Sequence, residues 1–252
     1  MILSIIQNNY GKKTVIVTGG SRGIGAGIVQ FLAEKNKYNI VLNYNKSEES
    51  ARKIKEELNN KQVNIEIFKA DVSKRGEVKK LIEFTLNKFN NIDVLINNAG
   101  ISQTKLFTDI TDADWDNMMQ NNLNSAFYCS QGVLSDMIHN KQGCIINISS
   151  IWGVEGGSCE VHYSTAKAGI IGLTKALAKE VGPSNIRVNC IAPGMIDTDM
   201  NKEYSKEDIQ EIINETPLGK IGRPIDIARC VYWLIEDEFT TGQVISINGG
   251  WN

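Results

Sequence analysis

Short apolar runs rich in β-branched residues recur along the whole chain, and the segments between them carry apolar residues at helical spacing. Several runs are apolar on both faces, as in parallel strands that helices cover from each side. The pattern predicts about seven strands, which fall at Thr14–Thr18, Asn39–Tyr44, Asn64–Lys69, Val94–Asn97, Cys144–Ser149, Arg187–Ala192 and Val244–Ile247.

The intervening segments predict helices. Val78, Leu81 and Ile82 share one helical face after Ser73, which is a predicted N-cap, and residues 112–139 are long enough for one extended helix. Strands that alternate with helices imply right-handed crossovers and a parallel sheet. We therefore expect an α/β fold, with one doubly wound, Rossmann-like domain over residues 1–252. Within it, the polar segment 196–224 is expected to form a substrate flap over the carboxyl ends of the strands.

Composition excludes several classes of protein. The chain has 252 residues with 27 basic and 29 acidic side chains, so no basic surplus indicates a nucleic-acid partner. The five cysteines form no Cys-x-x-Cys pair, which favours reduced thiols in a cytoplasmic protein. Two histidines make a His-based metal site unexpected, and no apolar run approaches the roughly 20 residues of a membrane span.

The first predicted strand runs directly into a glycine-rich turn and then into a helix. Glycines at such a turn let backbone N–H groups approach a pyrophosphate, and the helix N-terminus favours the anion. The spacing is Gly-x-x-x-Gly-x-Gly, and the strand–turn–helix context indicates a dinucleotide. The candidate cofactor-binding residues of this turn are Gly19, Ser21, Arg22, Gly23, Ile24 and Gly25.

The end of the second predicted strand bears on the choice of cofactor. Folds that bind NAD carry an acidic residue there for the ribose diol, whereas this chain has Asn43, Tyr44, Asn45 and Lys46. Arg22 and Lys46 could pair with a 2′-phosphate, or both could be solvated surface charges. The sequence therefore favours NADP(H) over NAD(H), with Asn43 as a further candidate contact.

Tyr163 and Lys167 lie four residues apart, on one face of a predicted helix. A phenol titrates near pH 10, roughly, and a neighbouring ammonium lowers that pKa toward the range useful for proton transfer. Ser150 closes a predicted strand at the ligand-binding edge, where its hydroxyl can hydrogen-bond a substrate carbonyl. Asn122 lies inside the long helix, and a water between it and Lys167 would supply a proton path. These four residues predict a catalytic site.

The chain resembles the short-chain dehydrogenase/reductases over nearly its whole length. Ordered motifs carry the resemblance: Thr18–Gly25, Asp71-Val72, Asn97–Gly100, Asn122-Leu123, Ser149-Ser150, Tyr163–Lys167 and Pro193-Gly194 followed by Thr198. The resemblance implies a nicotinamide-dependent carbonyl oxidoreductase on one doubly wound domain. It also implies a homotetramer.

The resemblance further implies individual roles. Tyr163 would be the general acid in reduction, and Lys167 would lower its pKa and hold the nicotinamide ribose. Ser150 would orient the carbonyl, and Asn122 would anchor the relay water. The implied cofactor contacts are Asp71 and Val72 at the adenine, Asn98, Ala99 and Gly100 along the adenosine and ribose, and Pro193, Gly194, Ile196 and Thr198 at the nicotinamide end.

Two substrate classes remain open. Within the family the chain resembles 3-oxoacyl-acyl-carrier-protein reductases, which should present cations to an acidic carrier protein. Lys141 occupies one position where those relatives often carry a basic residue. Ser184 occupies another such position, and this weakens the carrier-protein hypothesis.

The loop from Ser150 to Tyr163 also resembles a branch that reduces a 5-aminopentanone group on a lysine of elongation factor P. Glu160 could pair with the amine and Trp152 could line its alkyl chain. Alternatively, Trp152 packs in the core and Glu160 caps a helix. A remote third hypothesis, a non-catalytic NADP(H)-sensing regulator, predicts loss of a catalytic residue, yet Tyr163, Lys167 and Ser150 are all present.

Overall fold

A computed structural model describes residues 11–59, 63–201 and 204–251, and these form an α/β fold around one sheet. The sheet has seven strands, all parallel, in the order β3-β2-β1-β4-β5-β6-β7. The strands are β1 (Lys13–Val17), β2 (Tyr38–Tyr44), β3 (Asn64–Lys69), β4 (Val94–Asn97), β5 (Gly143–Ile148), β6 (Ile186–Pro193) and β7 (Val244–Ile247). The predicted doubly wound fold is confirmed, and each strand ends within one residue of its predicted bounds.

Helices cover both faces of the sheet. They are α1 (Gly23–Glu34), α2 (Glu48–Asn59), α3 (Arg75–Phe89), α4 (Asp112–Met119), α5 (Ser125–Asn140), α6 (Val161–Val181), α7 (Lys206–Glu215) and α8 (Pro224–Glu236). Val15 and Val17 of β1 pack with α1, α2 and α8 on one face, whereas Ile16 packs with α3, α5 and α6 on the other. Side chains alternate across a strand, so a strand with helices on both sides is apolar throughout.

The predicted helix over residues 112–139 is present but is not uniform. A π-helical turn at Gln120–Asn124 joins α4 to α5. Such a turn accommodates one extra residue in a helix and is frequent at functional sites. Hydrophobic periodicity cannot reveal it, because the same apolar face continues on either side.

The predicted N-cap at Ser73 is wrong. Helix α3 begins at Arg75, and its N-cap residue is Lys74, whose side chain makes no capping hydrogen bond. The Ser73 hydroxyl instead donates to Asp71 Oδ1 at 2.6 Å. A carboxylate is a stronger acceptor than the other groups in reach of a hydroxyl, so it holds Ser73 just outside the helix.

The segment 196–224 contains α7, a short 3₁₀ turn at Asp199–Asn201 and an isolated bridge between Ile196 and Gly222. Helix α7 has a capping box formed by Ser205 and Asp208, yet it buries none of its side chains. Its apolar face, formed by Ile209, Ile212 and Ile213, is only partly buried, and the capping box stabilises its N-terminus. Residues 202 and 203 of the predicted flap lie outside the described part of the chain.

Among the described helices, none combines the length and the apolar character that crossing a bilayer requires.

Candidate active site

The carboxyl ends of β1, β4, β5 and β6 open into one cleft of about 1410 Å³. The cleft lies beside the point where the strand order reverses between β1 and β4, which is where open α/β sheets bind ligands. Its lining includes all the residues predicted from the sequence as catalytic, and all the predicted cofactor contacts except Gly25. Within the described ranges, no cluster of three or more His, Cys, Asp or Glu side chains could hold a metal ion.

Residues 19–25, the glycine turn, form a backbone cradle at the start of α1. Gly19 has φ +62°, which favours glycine, and a Cβ placed on Gly25 would lie 2.3 Å from the Gly19 carbonyl oxygen. The Asn98 side chain closes the turn by donating to the carbonyls of Thr18 and Gly19 at 2.9 and 3.1 Å. Gly25 therefore lies beneath the cradle and allows it to close, while the surface residues of the turn fit a pyrophosphate.

Two polar side chains, at the ends of β1 and β2, brace this turn. Thr18 Oγ1 accepts the N–H groups of Asn98 and Ala99, each at 3.0 Å, a contact the sequence analysis did not assign. Asn43 accepts the N–H of Gly19 at 3.3 Å and donates to the carbonyl of Ala70 at 3.0 Å. Asn43 lines the cleft as predicted, but its buried amide is engaged in holding the turn to β3.

The predicted adenine contacts and the two predicted cations also reach the cleft. Asp71 and Val72 follow β3, and the Gln120 amide from the π-helical turn donates to the carbonyl of Ser73 beside them. Arg22, in the glycine turn after β1, and Lys46, just after β2, are exposed along the same cleft. The positive charge at this end therefore comes from two side chains free to turn toward a ligand.

Tyr163, Ser150 and Lys167 meet at the other end of the cleft. Ser150 follows β5, and its hydroxyl accepts the Trp152 N–H at 3.2 Å and hydrogen-bonds Tyr163. Lys167 donates from Nζ to the Ile148 carbonyl at 3.0 Å, with Nζ 5.6 Å from the centre of the Tyr163 ring. Tyr163 and Lys167 are one turn apart on α6, so the helix places both at the end of β5.

Asn122 is buried beside this group, and the π-helical turn carries it. Its amide exchanges two hydrogen bonds with the backbone of Ile101, at 3.2 and 3.1 Å, and also donates to the Met118 carbonyl. A Cβ placed on Gly100 would lie 2.5 Å from Asn122 Oδ1 and 3.4 Å from Lys167 Nζ. The two polar groups therefore border the same small space, at a separation that one water can bridge.

Burial moves the pKa values of the two titratable catalytic candidates in opposite directions. It raises the pKa of Tyr163, against a smaller lowering by the Ser150 hydrogen bond, and it lowers the pKa of Lys167 to about 8. The direction at Tyr163 is opposite to the lowering that the sequence predicts, because the cost of burying a phenolate exceeds the effect of the Ser150 hydrogen bond, and Glu160 and Tyr204 raise the pKa further. A protonated phenol is nevertheless the form that a proton donor in ketone reduction needs.

The predicted substrate residues Trp152 and Glu160 both line the cleft. Glu160 is only 6% exposed; burial raises the pKa of Glu160, and hydrogen bonds from Tyr204 and Thr104 oppose this rise. Glu160 occupies the N-cap position of α6, as the helix-capping alternative expects, but its side chain makes no capping hydrogen bond there. Trp152 packs against Tyr163 and Met118, and its ring also meets that of Trp251.

Other residues that line the cleft were not predicted from the sequence. Tyr204, Gln103 and Trp251 line the cleft, and buried His162 meets Gln103 Oε1 through Nε2 at 3.0 Å. His162 stands in the loop from Ser150 to Tyr163 that the resemblance singles out, whereas no local pattern marks Trp251. Tertiary packing alone brings it there.

Lys141 lies away from the cleft of its own chain. It follows α5 and precedes the first residue of β5, and the neighbouring Asn185 side chain donates to its carbonyl. The length of β5, about 17 Å at 3.3 Å per residue, separates this edge of the sheet from the catalytic edge. Ser184 lies at the same distant edge, because it is two residues before the start of β6.

Residues 13–209 match the family model for short chain dehydrogenases. The chain belongs to the short-chain dehydrogenase/reductase family. It is 42% identical to the 3-oxoacyl-acyl-carrier-protein reductase FabG of Chlamydia trachomatis, over 94% of this chain and 96% of that protein. It is 40% identical to the uncharacterized oxidoreductase YmfI of Bacillus subtilis (95% and 99% covered) and 39% identical to FabG of Staphylococcus aureus (94% and 97% covered). The chain is therefore an NAD(P)-dependent oxidoreductase that acts on a ketone or an alcohol.

Replacing Lys167 by Met is expected to stabilise the protein by about 1–3 kcal/mol at pH 7, because the change removes a buried ammonium. The pKa of Lys167 is about 8 when folded and 10.5 ordinarily, so the unfolded chain binds the proton more tightly. The increase in the free energy of unfolding should be complete below pH 8 and should disappear as the pH rises toward 10.5. Urea unfolding across this range measures it. Lys175→Met, at an exposed position of the same helix, is the control, and an equal gain there would contradict the explanation.

Proposed function

We propose that the protein is an NADPH-dependent reductase of a 3-oxoacyl group carried on acyl carrier protein. The observation that carries this proposal is the buried Tyr163 phenol, held against Ser150 in the same cleft as the glycine turn. Relatives named for this reaction match almost the whole chain at about 40% identity, which supports the substrate assignment. In this proposal residues 1–252 form one catalytic unit, segment 196–224 covers the substrate, and the working assembly is a homotetramer.

The side chains of the site supply positioning and a proton. When bound, the reduced nicotinamide supplies a hydride to the carbonyl carbon. Ser150 orients the carbonyl oxygen, and Tyr163, kept protonated by its raised pKa, donates its proton to that oxygen. Lys167 and Asn122 then return a proton toward Tyr163 through the space beside Gly100. The product is a secondary alcohol.

The preference for NADPH rests on charge at the end of β2. Arg22 and Lys46 are exposed on the cleft, and residues 43–47 contain no carboxylate to oppose a 2′-phosphate. Asn43 cannot replace the usual acidic residue, because its amide already holds the glycine turn. A guanidinium can form paired hydrogen bonds with a phosphate, so Arg22 suits the 2′-phosphate on the ribose of NADPH.

Tyr163→Phe is expected to lower turnover of a 3-oxoacyl thioester by on the order of 100-fold or more, because the proton donor is lost. NADPH affinity should stay within about threefold, because the buried ring is retained. Steady-state kinetics and calorimetric titration with NADPH measure the two effects. Tyr232→Phe on α8, outside the cleft lining, is the control, and undiminished turnover in Tyr163→Phe would rule out the assignment.

Arg22→Ala is expected to weaken NADPH binding by about tenfold or more and to leave NADH binding nearly unchanged, because one charge-assisted contact with the 2′-phosphate is lost. Titration of each variant with both cofactors measures the ratio. Arg52→Ala is the matched control, because Arg52 pairs with Glu48 on α2 and does not line the cleft. Equal losses for the two cofactors would remove Arg22 from the proposed 2′-phosphate site.

Glu160 favours a second candidate, the reductase of a 5-aminopentanone group on a lysine of elongation factor P. A buried carboxyl lines the cleft beside two indoles and Tyr204, and an amine at the end of a short alkyl chain is the chemistry that such a lining recognises. A neutral 3-oxoacyl chain offers this carboxyl no positive charge with which to pair.

Glu160→Gln is expected to separate the two candidates. If the aminoketone is the substrate, kcat/KM for a protein bearing it on lysine should fall by about tenfold or more, because a buried charge pair is lost. A 3-oxoacyl thioester should then change by no more than about threefold. Glu155→Gln, at an exposed position of the same loop, is the control. If wild-type protein turns over only the thioester, the second candidate is wrong.

A further inference from the structure

The C-terminal segment of the chain places an indole at the end of the cleft that holds Ser150 and Tyr163, which we call the substrate half. The rings of Trp251 and Trp152 meet edge to face, with their centroids 5.2 Å apart and an interplanar angle of 67°. Trp152 follows Ser150 by two residues, and its backbone N–H donates to the Ser150 hydroxyl. This pair, which we call the aromatic wall, therefore lies directly beside the group that orients the carbonyl.

Each half of the aromatic wall is held in place by its own contacts. Trp251 donates from Nε1 to Glu215 Oε2 at 3.2 Å, and Glu215 is the last residue of α7. A Cβ placed on Gly157 would lie 2.9 Å from Trp152 Cδ2, so the loop backbone packs against the Trp152 ring. These contacts hold the two indoles edge to face within the lining of the cleft.

The segment that carries Trp251 is also packed against the flap. The Leu218 N–H donates to the Gly249 carbonyl at 3.1 Å, and a Cβ on Gly249 would lie 2.8 Å from Thr216 Cγ2. Gly249 has φ +68°, which favours glycine and lets the chain turn here. The aromatic wall therefore links the loop after Ser150 to the end of α7, across the substrate half of the cleft.

We propose that Trp251 is a specificity-determining residue, which with Trp152 closes the cleft behind the carbonyl and restricts the enzyme to ketones with a short chain on that side. A chain that leaves the carbonyl toward α7 meets two fixed rings after a few carbon atoms. The proposal rests on ketone reduction as the proposed function and names the substrate class within it. It applies whether the short chain is acyl or ends in an amine.

The test uses a series of 3-oxoacyl thioesters of increasing chain length with NADPH. Wild-type kcat/KM is expected to fall as the chain lengthens. In Trp251→Ala, kcat/KM for the longest thioester should rise by about tenfold or more, while that for the shortest should stay within about threefold. Trp251→Phe should give an intermediate profile, because a smaller ring leaves part of the wall.

Further variants test the anchor and the specificity of the effect. Glu215→Ala, which removes the partner of the Trp251 indole, should shift the profile in the same direction by a smaller factor. Trp233→Ala, on the outer side of α8 and outside the cleft lining, should leave the profile unchanged. If Trp251→Ala lowers kcat/KM for every thioester by the same factor, or leaves the long-to-short ratio unchanged, the proposal is wrong.

The proposed function and this proposal fail in different ways. If wild-type protein reduces no thioester, the proposed acyl reduction is wrong. The effect of chain length is then measured as the ratio of the affinities for long and short aliphatic ketones, determined by calorimetric titration. A higher affinity of Trp251→Ala than of wild-type protein for the longer ketones would still support the aromatic wall. An unchanged binding ratio, or no binding to either protein, would overturn it. Thermal melting of each variant shows whether the fold is retained.

Discussion

The burial of an ammonium beside a phenol is the constraint on which the site depends. Lys167 is 4% exposed and Tyr163 is 8% exposed, so neither ionises as it would in water. A cation can remain there only with fixed polar neighbours, and the Ile148 carbonyl at the end of β5 is one. That carbonyl faces Lys167 because β5 stops there, and Asn122 reaches the same space because the helix before β5 contains a π-helical turn. The sheet and the helices therefore keep Lys167 and Tyr163 buried side by side, although burial disfavours the charged form of each side chain.

The sequence predicts the scaffold well because one physical pattern specifies it. Strands buried on both faces are mostly apolar, and here the ends of the apolar runs locate the strands within a residue. The catalytic residues could be proposed for a related reason: helical spacing places Tyr163 and Lys167 together, and strand ends place Ser150 and Asn98 at the same edge. By contrast, Ser73 looked like an N-cap because its type suits one, while the competing acceptor, Asp71, is visible only when the loop is folded.

The direction of the Tyr163 pKa could not be inferred from spacing either. A neighbouring ammonium lowers the pKa of a phenol only when that ammonium is charged and its field outweighs the cost of burial. Both conditions depend on how much of the chain lies over α6. Burial is the largest influence at both groups, and it raises the pKa of Tyr163 while it lowers the pKa of Lys167. The raised pKa of Tyr163 favours its protonated form at neutral pH, and this is the form that can donate a proton in reduction.

The two halves of the cleft differ in how they are built, and this explains why the reaction class follows from the family while the substrate does not. The cofactor half consists of the glycine turn and strand ends braced by Thr18, Asn43 and Asn98, so few sequences can form it. The substrate half is assembled from the loop after β5, from α7 and from the end of the chain, which meet only through Trp152, Glu215 and Trp251. Residues there can change without disturbing the sheet. Identity near 40% with a named reductase therefore supports the reaction class, whereas the side chains of the second half decide which ketone fits.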